Sequence, residues 1–414
     1  MNLGVGVNSC FFKKEYVKII SSGISGLLIL LTCISASADQ FDTLSYSASA
    51  GFTFDNNLFK LPSGVDPQLA IGQSNKSDVI QTESLGINLD KKYANQEIIF
   101  RGNVTNNKYN TFSNLDYTNS VYSAAWNGNL TSRLSVGLSD SRTQSLNTFA
   151  DIHVYSRNLT TIDTSHLSAD WWLQSNWHLT FGATNSKTTT SQSVINNQSY
   201  NSKVAEWGVK YAPANGSTMA FVSRIIQNEN INSPLNYYLL VDTQSTDTQM
   251  ELDLNWLPSG KSMLSGNLIN IIHQNPTFNQ RDFSGTEGGI NYLYSFNDKT
   301  NLNISFNRGL SSWYDFSSSY IVNDTFSIAP SWQTSTRTNM HIAVSRSKAN
   351  YFAPIVPNTT ARLDESQTET LGLNWTPQRS VTLSASVQNS SRNSNFSSYE
   401  YDDKSASLSL QINF

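Results

Sequence analysis

The chain has 414 residues, 27 Lys and Arg against 31 Asp and Glu, a formal net charge of −4 and only 14% charged residues. Basic residues are too few and too scattered to track a phosphate backbone, so nucleic acid is excluded as a partner. The two cysteines, Cys10 and Cys33, both lie near the N-terminus; once that segment is removed, no thiol nucleophile, thiolate metal site or disulfide remains.

At the N-terminus Lys13, Lys14 and Lys18 precede an apolar stretch around 24–34 and the small residues Ala36, Ser37 and Ala38. That order is a secretory signal, with cleavage expected after Ala38 and one domain over 39–414. The rest of the chain holds no apolar run long enough for a membrane helix. Its apolar residues come singly, at every second position, among Ser, Thr and Asn. Such a period belongs to strands with one face turned toward a solvent other than water.

Strands are predicted near 43–54, 79–90, 96–107, 117–127, 132–143, 161–174, 177–186, 201–212, 217–227, 244–256, 262–273, 284–295, 300–309, 320–332, 337–347, 366–376, 380–390 and 399–414. The expected fold is all-β: a transmembrane antiparallel up-and-down β-barrel of about 18 strands, within a range of roughly 16 to 20. An even number returns the chain to the side where it began, with short turns in the periplasm and longer links facing outward. Closure leaves no bare edge in lipid, and a ring this wide encloses a lumen that its own side chains do not fill.

The repeating unit is clearest from Leu371 to Val387. Leu371, Leu373 and Trp375 alternate with small or polar residues, a turn is expected over 376–380 around Pro377, and Val381, Leu383, Ala385 and Val387 resume the alternation. Aromatic residues mark the same place in other hairpins: Trp126, Trp171, Tyr211, Trp256, Tyr292, Trp332 and Trp375, 36 to 45 residues apart. Amphipathic rings there suit a membrane–water boundary. The last strand alternates Leu408, Leu410, Ile412 and Phe414 with polar residues and stops on the aromatic. That ending resembles the signal read by the outer-membrane assembly machinery.

Residues opposite in parity to the apolar face are expected to line the lumen: Arg101, Asp170, Glu206, Lys210, Arg224, Glu251, Asp253 and Glu287. Mixed charge among hydroxyls and amides suits a hydrated channel wall. Arg142, Arg308 and Arg346 instead share the apolar parity at the outward ends of their strands, where guanidinium groups would meet lipopolysaccharide phosphates. The five histidines, His153, His166, His178, His273 and His341, show no metal-ligand spacing, and no nucleophile turn is present. No cofactor and no enzymatic activity are expected.

The first outward link opens Asp55, Asn56, Asn57, Leu58, Phe59, Lys60, Leu61, Pro62. This stretch resembles the opening of the β-barrel porin family whose members include EpsL-type outer-membrane proteins of exopolysaccharide biosynthesis loci. The resemblance implies a barrel in the Gram-negative outer membrane, involved in making or exporting a surface polysaccharide together with periplasmic export components. Physically, Leu58, Phe59 and Leu61 form an apolar cluster in a polar link, fixed at its end by Pro62, that either staples the link to the rim or folds inward as a plug. The function expected is a passive hydrated conduit for exopolysaccharide. A general diffusion porin for small solutes is the alternative, and an outer-membrane lipid hydrolase the third.

Overall fold

The computed structural model describes residues 43–194, 198–231 and 235–414. The expected signal segment, with Cys10 and Cys33, lies outside the described residues. Eighteen strands follow in order: β1 (Leu44–Asp55), β2 (Asp78–Tyr93), β3 (Gln96–Tyr109), β4 (Tyr117–Asn129), β5 (Leu134–Leu146), β6 (Leu159–Gln174), β7 (Trp177–Thr190), β8 (Tyr200–Tyr211), β9 (Thr218–Asn230), β10 (Gln244–Ser259), β11 (Ser262–Gln274), β12 (Phe283–Asn297), β13 (Thr300–Ser312), β14 (Tyr320–Ser335), β15 (Thr338–Phe352), β16 (Leu363–Gln378), β17 (Val381–Ser394) and β18 (Tyr401–Asn413). A short helix, α1 (Pro67–Ile71), sits in the first link, capped by the Asp66 side chain on the Gln68 N–H.

Each strand pairs antiparallel with its sequence neighbours, and β1 pairs with β18 from Ser47↔Asn413 to Asp55↔Ser405, which closes the ring. Closure satisfies every edge, as a lipid environment requires. Most apolar residues of the strands alternate onto the outer face, and many stay uncovered: Leu85 is 67% exposed, Ile290 58% and Leu408 57%. Outward Leu and Ile at that exposure, repeated around the ring, form the band of a membrane-spanning barrel.

The strands are longer than the alternation alone predicts, because several run on through a bulge just past the boundary aromatic. Registers shift between Trp172 and Gln174, Trp256 and Ser259, and Trp375 and Gln378. Pro377 therefore lies within a bulge of β16, and the turn narrows to 379–380. This corrects the expectation of a turn over 376–380: a bulge absorbs the missing proline N–H without ending the strand. Two of the tightest turns place non-glycine residues at positive φ, Ala94 at 51° and Ser175 at 51°.

Buried apolar residues are spread along the barrel wall, as at Ile269, Ile271, Leu410 and Ile412, but form a packed cluster in the long links at one end. Leu58, Phe59, Leu61, Tyr109, Phe112, Leu115 and Phe149 make one cluster there. A packed cluster of this protein thus sits at the rim of the ring.

Candidate functional site

The inner wall divides into two unlike arcs. On β6 to β11, charged side chains link from strand to strand. Asp170 on β6 accepts hydrogen bonds from His178 Nδ1 on β7 at 2.6 Å and from the Lys210 ammonium on β8. Glu206 on β8 accepts from Arg224 Nε at 2.6 Å, and the same guanidinium reaches Glu251 on β10. Asn267 on β11 donates to Glu251 Oε1 at 2.8 Å, and Asp253 lies two residues along the same face. Gly182 makes room for this chain, since a Cβ there would run into the Glu206 carboxylate. Glu287 stands apart, accepting the Leu310 N–H at 3.2 Å. Arg101 is also inward by register, on β3, three strands before β6.

The other arc, β13 to β18 and on to β5, carries little charge at mid-height. Asn303, Ser305, Ser327, Ser345, Thr368, Ser386 and Ser407 occupy the inward register positions of successive strands. Paired ions and hydroxyls keep such a wall wet while leaving few unsatisfied charges. Among the lumen residues read from the sequence, carboxylates (Asp170, Glu206, Glu251, Asp253, Glu287) outnumber the bases (Arg101, Lys210, Arg224), and Asp247 joins them on the same inward face.

Three links converge over the mouth. Asn57, fully buried, accepts the Leu61 N–H at 2.9 Å and donates to the carbonyls of Leu61 and Asp402, both at 2.9 Å. Lys60, at φ 54°, bridges Asp55 at 3.1 Å and Asp403 at 2.6 Å. These bonds pin the Asn57 to Pro62 turn to the rim at β18, while Phe59 packs on Phe112 and Phe149 at 4.7 Å each and on Tyr155 at 5.5 Å.

The link between β5 and β6, residues 147–158, then acts as a strap. From Phe149 it continues to Asp151, whose Oδ1 accepts 2.8 Å bonds from both Arg362, at the entry to β16, and Arg392 on β17. Arg392 also donates to the Ala150 carbonyl. His153 lies 5.0 Å from the Tyr399 ring and 6.2 Å from Tyr155. Five strands, β4 to β1 and β18, lie between β5 and β17 around the ring, so the strap spans about a third of the rim as a chord. Arg362 is 4% exposed, chelates Asp364 at 3.0 and 2.5 Å, and stacks on Tyr399 at 3.4 Å. Burial pulls its pKa down, but its carboxylate partners outweigh that and raise it. The Arg362 guanidinium therefore stays cationic.

A second group of links is built around Arg281, which is 1% exposed. Its guanidinium donates to the carbonyls of Leu239 (3.0 and 2.6 Å), Ser318 (2.6 Å), Asp315 (2.9 Å) and Trp313 (3.2 Å). Burial lowers its pKa, and carbonyl dipoles take the place of a carboxylate.

Sequence parity puts Asp170, Lys210, Glu206, Arg224, Glu251 and Asp253 on one arc, and the structure brings them into two bonded groups. Arg142, Arg308 and Arg346 all lie outward and are paired: with Asp163 at 3.4 Å, with Asp324 at 2.6 and 2.7 Å, and with Gln367 at 3.0 Å. The boundary aromatics Trp171, Trp256 and Trp375 are exposed outward near the short turns. On β18, Leu408 is exposed, whereas Leu410 and Ile412 are buried at 8% and 1% beside the closing strand β1.

Asp151, Arg362, Arg392 and Arg281 have no place among the sequence-level candidates, because long-range partners in links leave no period to read. One signal was present. Thr111, Phe112 and Asp116 recur as Thr277, Phe278 and Asp282, and both sets close the same turn.

No known family profile matches the chain, and no curated protein matches it. Solved structures do. OpdK of Pseudomonas aeruginosa with vanillate aligns at TM-score 0.51 and 8% identity, over 90% of this chain and 99% of that one. OccK2 (OpdF) of P. aeruginosa in complex with glucuronate aligns at 0.51 and 9% identity, over 90% and 98%. A BenF-like porin from Pseudomonas fluorescens Pf-5 aligns at 0.51 and 9% identity, over 89% and 98%. This chain shares with them the fold of a bacterial porin.

Proposed function

We propose that this chain is a passive porin of the Gram-negative outer membrane for small hydrated solutes, neutral or cationic in preference to anionic. The observation that carries the reading is the closed 18-strand ring, with its outward apolar band and an inward wall of hydroxyls, amides and paired ions. The similar barrels solved with vanillate and with glucuronate hold carboxylates. Here the excess of inward carboxylates argues for a different solute, because a channel wall of one sign depletes ions of the same sign. Planar-bilayer recording on the purified full chain tests this: an ohmic current with K⁺ more permeant than Cl⁻ is expected, and a closed or anion-selective barrel contradicts it. The reading assigns no enzymatic role.

The resemblance at Asp55 to Pro62 supports a second reading, passage of a surface polysaccharide with periplasmic export components. In the structure those residues belong to the packed links, so this reading rests on the resemblance alone. Loss of surface polysaccharide on deleting the gene, with unchanged small-solute uptake, would favour it. Arg142, Arg308 and Arg346 fit contacts for lipopolysaccharide phosphates from their outward position. Replacing all three with Gln is expected to reduce lipopolysaccharide retained on purification, and unchanged retention refutes the contact.

A further inference from the structure

Beneath the links that surround Arg281, the upper inner wall encloses a cavity of about 450 Å³, a size at which pockets hold small molecules. Its lining includes a group of carboxamides: Asn228 and Asn230 on β9, Gln244 on β10, Asn275 in the link after β11, and Gln198 before β8. Two rings, Tyr200 and Tyr314, and the hydroxyls of Thr160 and Thr188 line it as well, beside Ile162 and His273.

The cavity's two carboxylates are already engaged. Asp242 accepts the N–H groups of Thr277 at 2.7 Å and Phe278 at 3.1 Å and the Thr277 hydroxyl at 3.2 Å, which holds the link in place. Asp247 accepts from His273 Nδ1 at 2.5 Å and from Asn228 Nδ2 at 3.3 Å. Neither is free to select a cation, and among the described residues no Lys or Arg lines the cavity to select an anion.

The amides differ. Gln244 makes no side-chain hydrogen bond within the described residues, while Asn228 and Asn230 each spend Nδ2 on the protein, Asn230 on the Asp242 carbonyl at 2.9 Å. Each amide carries both donors and acceptors, which matches vicinal hydroxyls, themselves donors and acceptors at once. Tyrosine rings offer apolar faces to the C–H side of a sugar-like ring.

We propose that this recess binds a neutral polyhydroxylated solute of mono- or disaccharide size at the mouth of the barrel. The inference goes beyond the porin reading and needs it only for the solute's onward passage.

The test is calorimetric titration of the full chain in detergent micelles with sucrose, and with glucuronate and choline as charged comparators. Saturable sucrose binding is expected, weaker by about tenfold or more in an Asn228→Leu, Gln244→Leu double variant, as the loss of two or more hydrogen bonds implies. Folding of the variant is checked by its resistance to unfolding in SDS without heating. If that variant does not fold, Tyr200→Ala is titrated instead, with weakened sucrose binding again expected. The proposal is overturned by a folded wild type with no saturable sucrose signal, by a folded variant that binds as wild type does, or by glucuronate or choline binding more tightly than sucrose. Binding is read without any current. A non-conducting barrel that binds sucrose overturns the porin reading alone, and a conducting barrel that ignores sucrose overturns the recess alone.

Discussion

In the link between β3 and β4, Asp78 accepts the N–H groups of Thr111 at 2.8 Å and Phe112 at 3.0 Å, and Asp116 accepts that of Tyr109 at 2.7 Å. In the link between β11 and β12, Asp242 accepts those of Thr277 and Phe278, and Asp282 accepts that of Asn275 at 2.7 Å. Both enclose one 3-10 turn, Ser113–Leu115 in the first and Asn279–Arg281 in the second. The backbone plan is the same, and the last residue of the turn is fully buried in each. In one it is Leu115, which joins the apolar cluster behind the strap; in the other it is Arg281, which gathers carbonyls from two neighbouring links. One side chain therefore decides whether a link couples to its neighbours by apolar contact or by directed hydrogen bonds.

The comparison is broken most strongly at Arg281. Arg281→Met orphans the carbonyls of Leu239, Asp315 and Ser318, at a local cost on the order of 4 kcal/mol. The links near 239 and 313–319 should become sensitive to protease while the barrel keeps its resistance to unfolding in SDS; unchanged protease resistance contradicts the role given to the guanidinium. Leu115→Ala should cost about 3 kcal/mol and expose the strap instead, leaving the Arg281 links untouched. If the two backbones are truly one plan, Asp78→Ala and Asp242→Ala should each loosen their own link by a similar amount, roughly 2 kcal/mol. A clear difference between them would show that the likeness is superficial.

The smallest effect is on pH. Burial against Tyr155 and Tyr399, with Arg392 and Arg362 close by, holds the His153 pKa below its ordinary 6.5. The docked strap thus favours neutral imidazole. Its contribution is complete above pH 6.5 and is lost as pH falls from there toward the depressed value. Asp151 opposes the shift only in part. Protease cleavage within 147–158 should rise modestly on acidification and lose that dependence in His153→Phe; a pH-independent strap in the wild type contradicts it.

The ring was legible in the sequence because a barrel wall is periodic. Leu371, Leu373 and Trp375 need only a period of two to face lipid, and the same parity assigns Glu206 and Arg224 to the inside. Parity cannot say which inward charges meet, since Arg224 joins Glu206 and Glu251 across two strand pairs whose register is set by bulges and turns. The mouth was less legible still. Asp151 and Arg392 are 241 residues apart, and a link has no alternation to reveal its partner. Leu58, Phe59 and Leu61 were visible as an apolar group, but Phe112 and Phe149 supply the surfaces they pack on.

A strap held at Asp151 lies over the mouth of the barrel. Single-channel conductance in a planar bilayer, wild type beside Asp151→Ala, tests it most directly. A steady ohmic current in the wild type, enlarged when Arg362 and Arg392 lose their anchor, is the predicted result. Two barrels that pass no current, or two with the same conductance, would contradict the account.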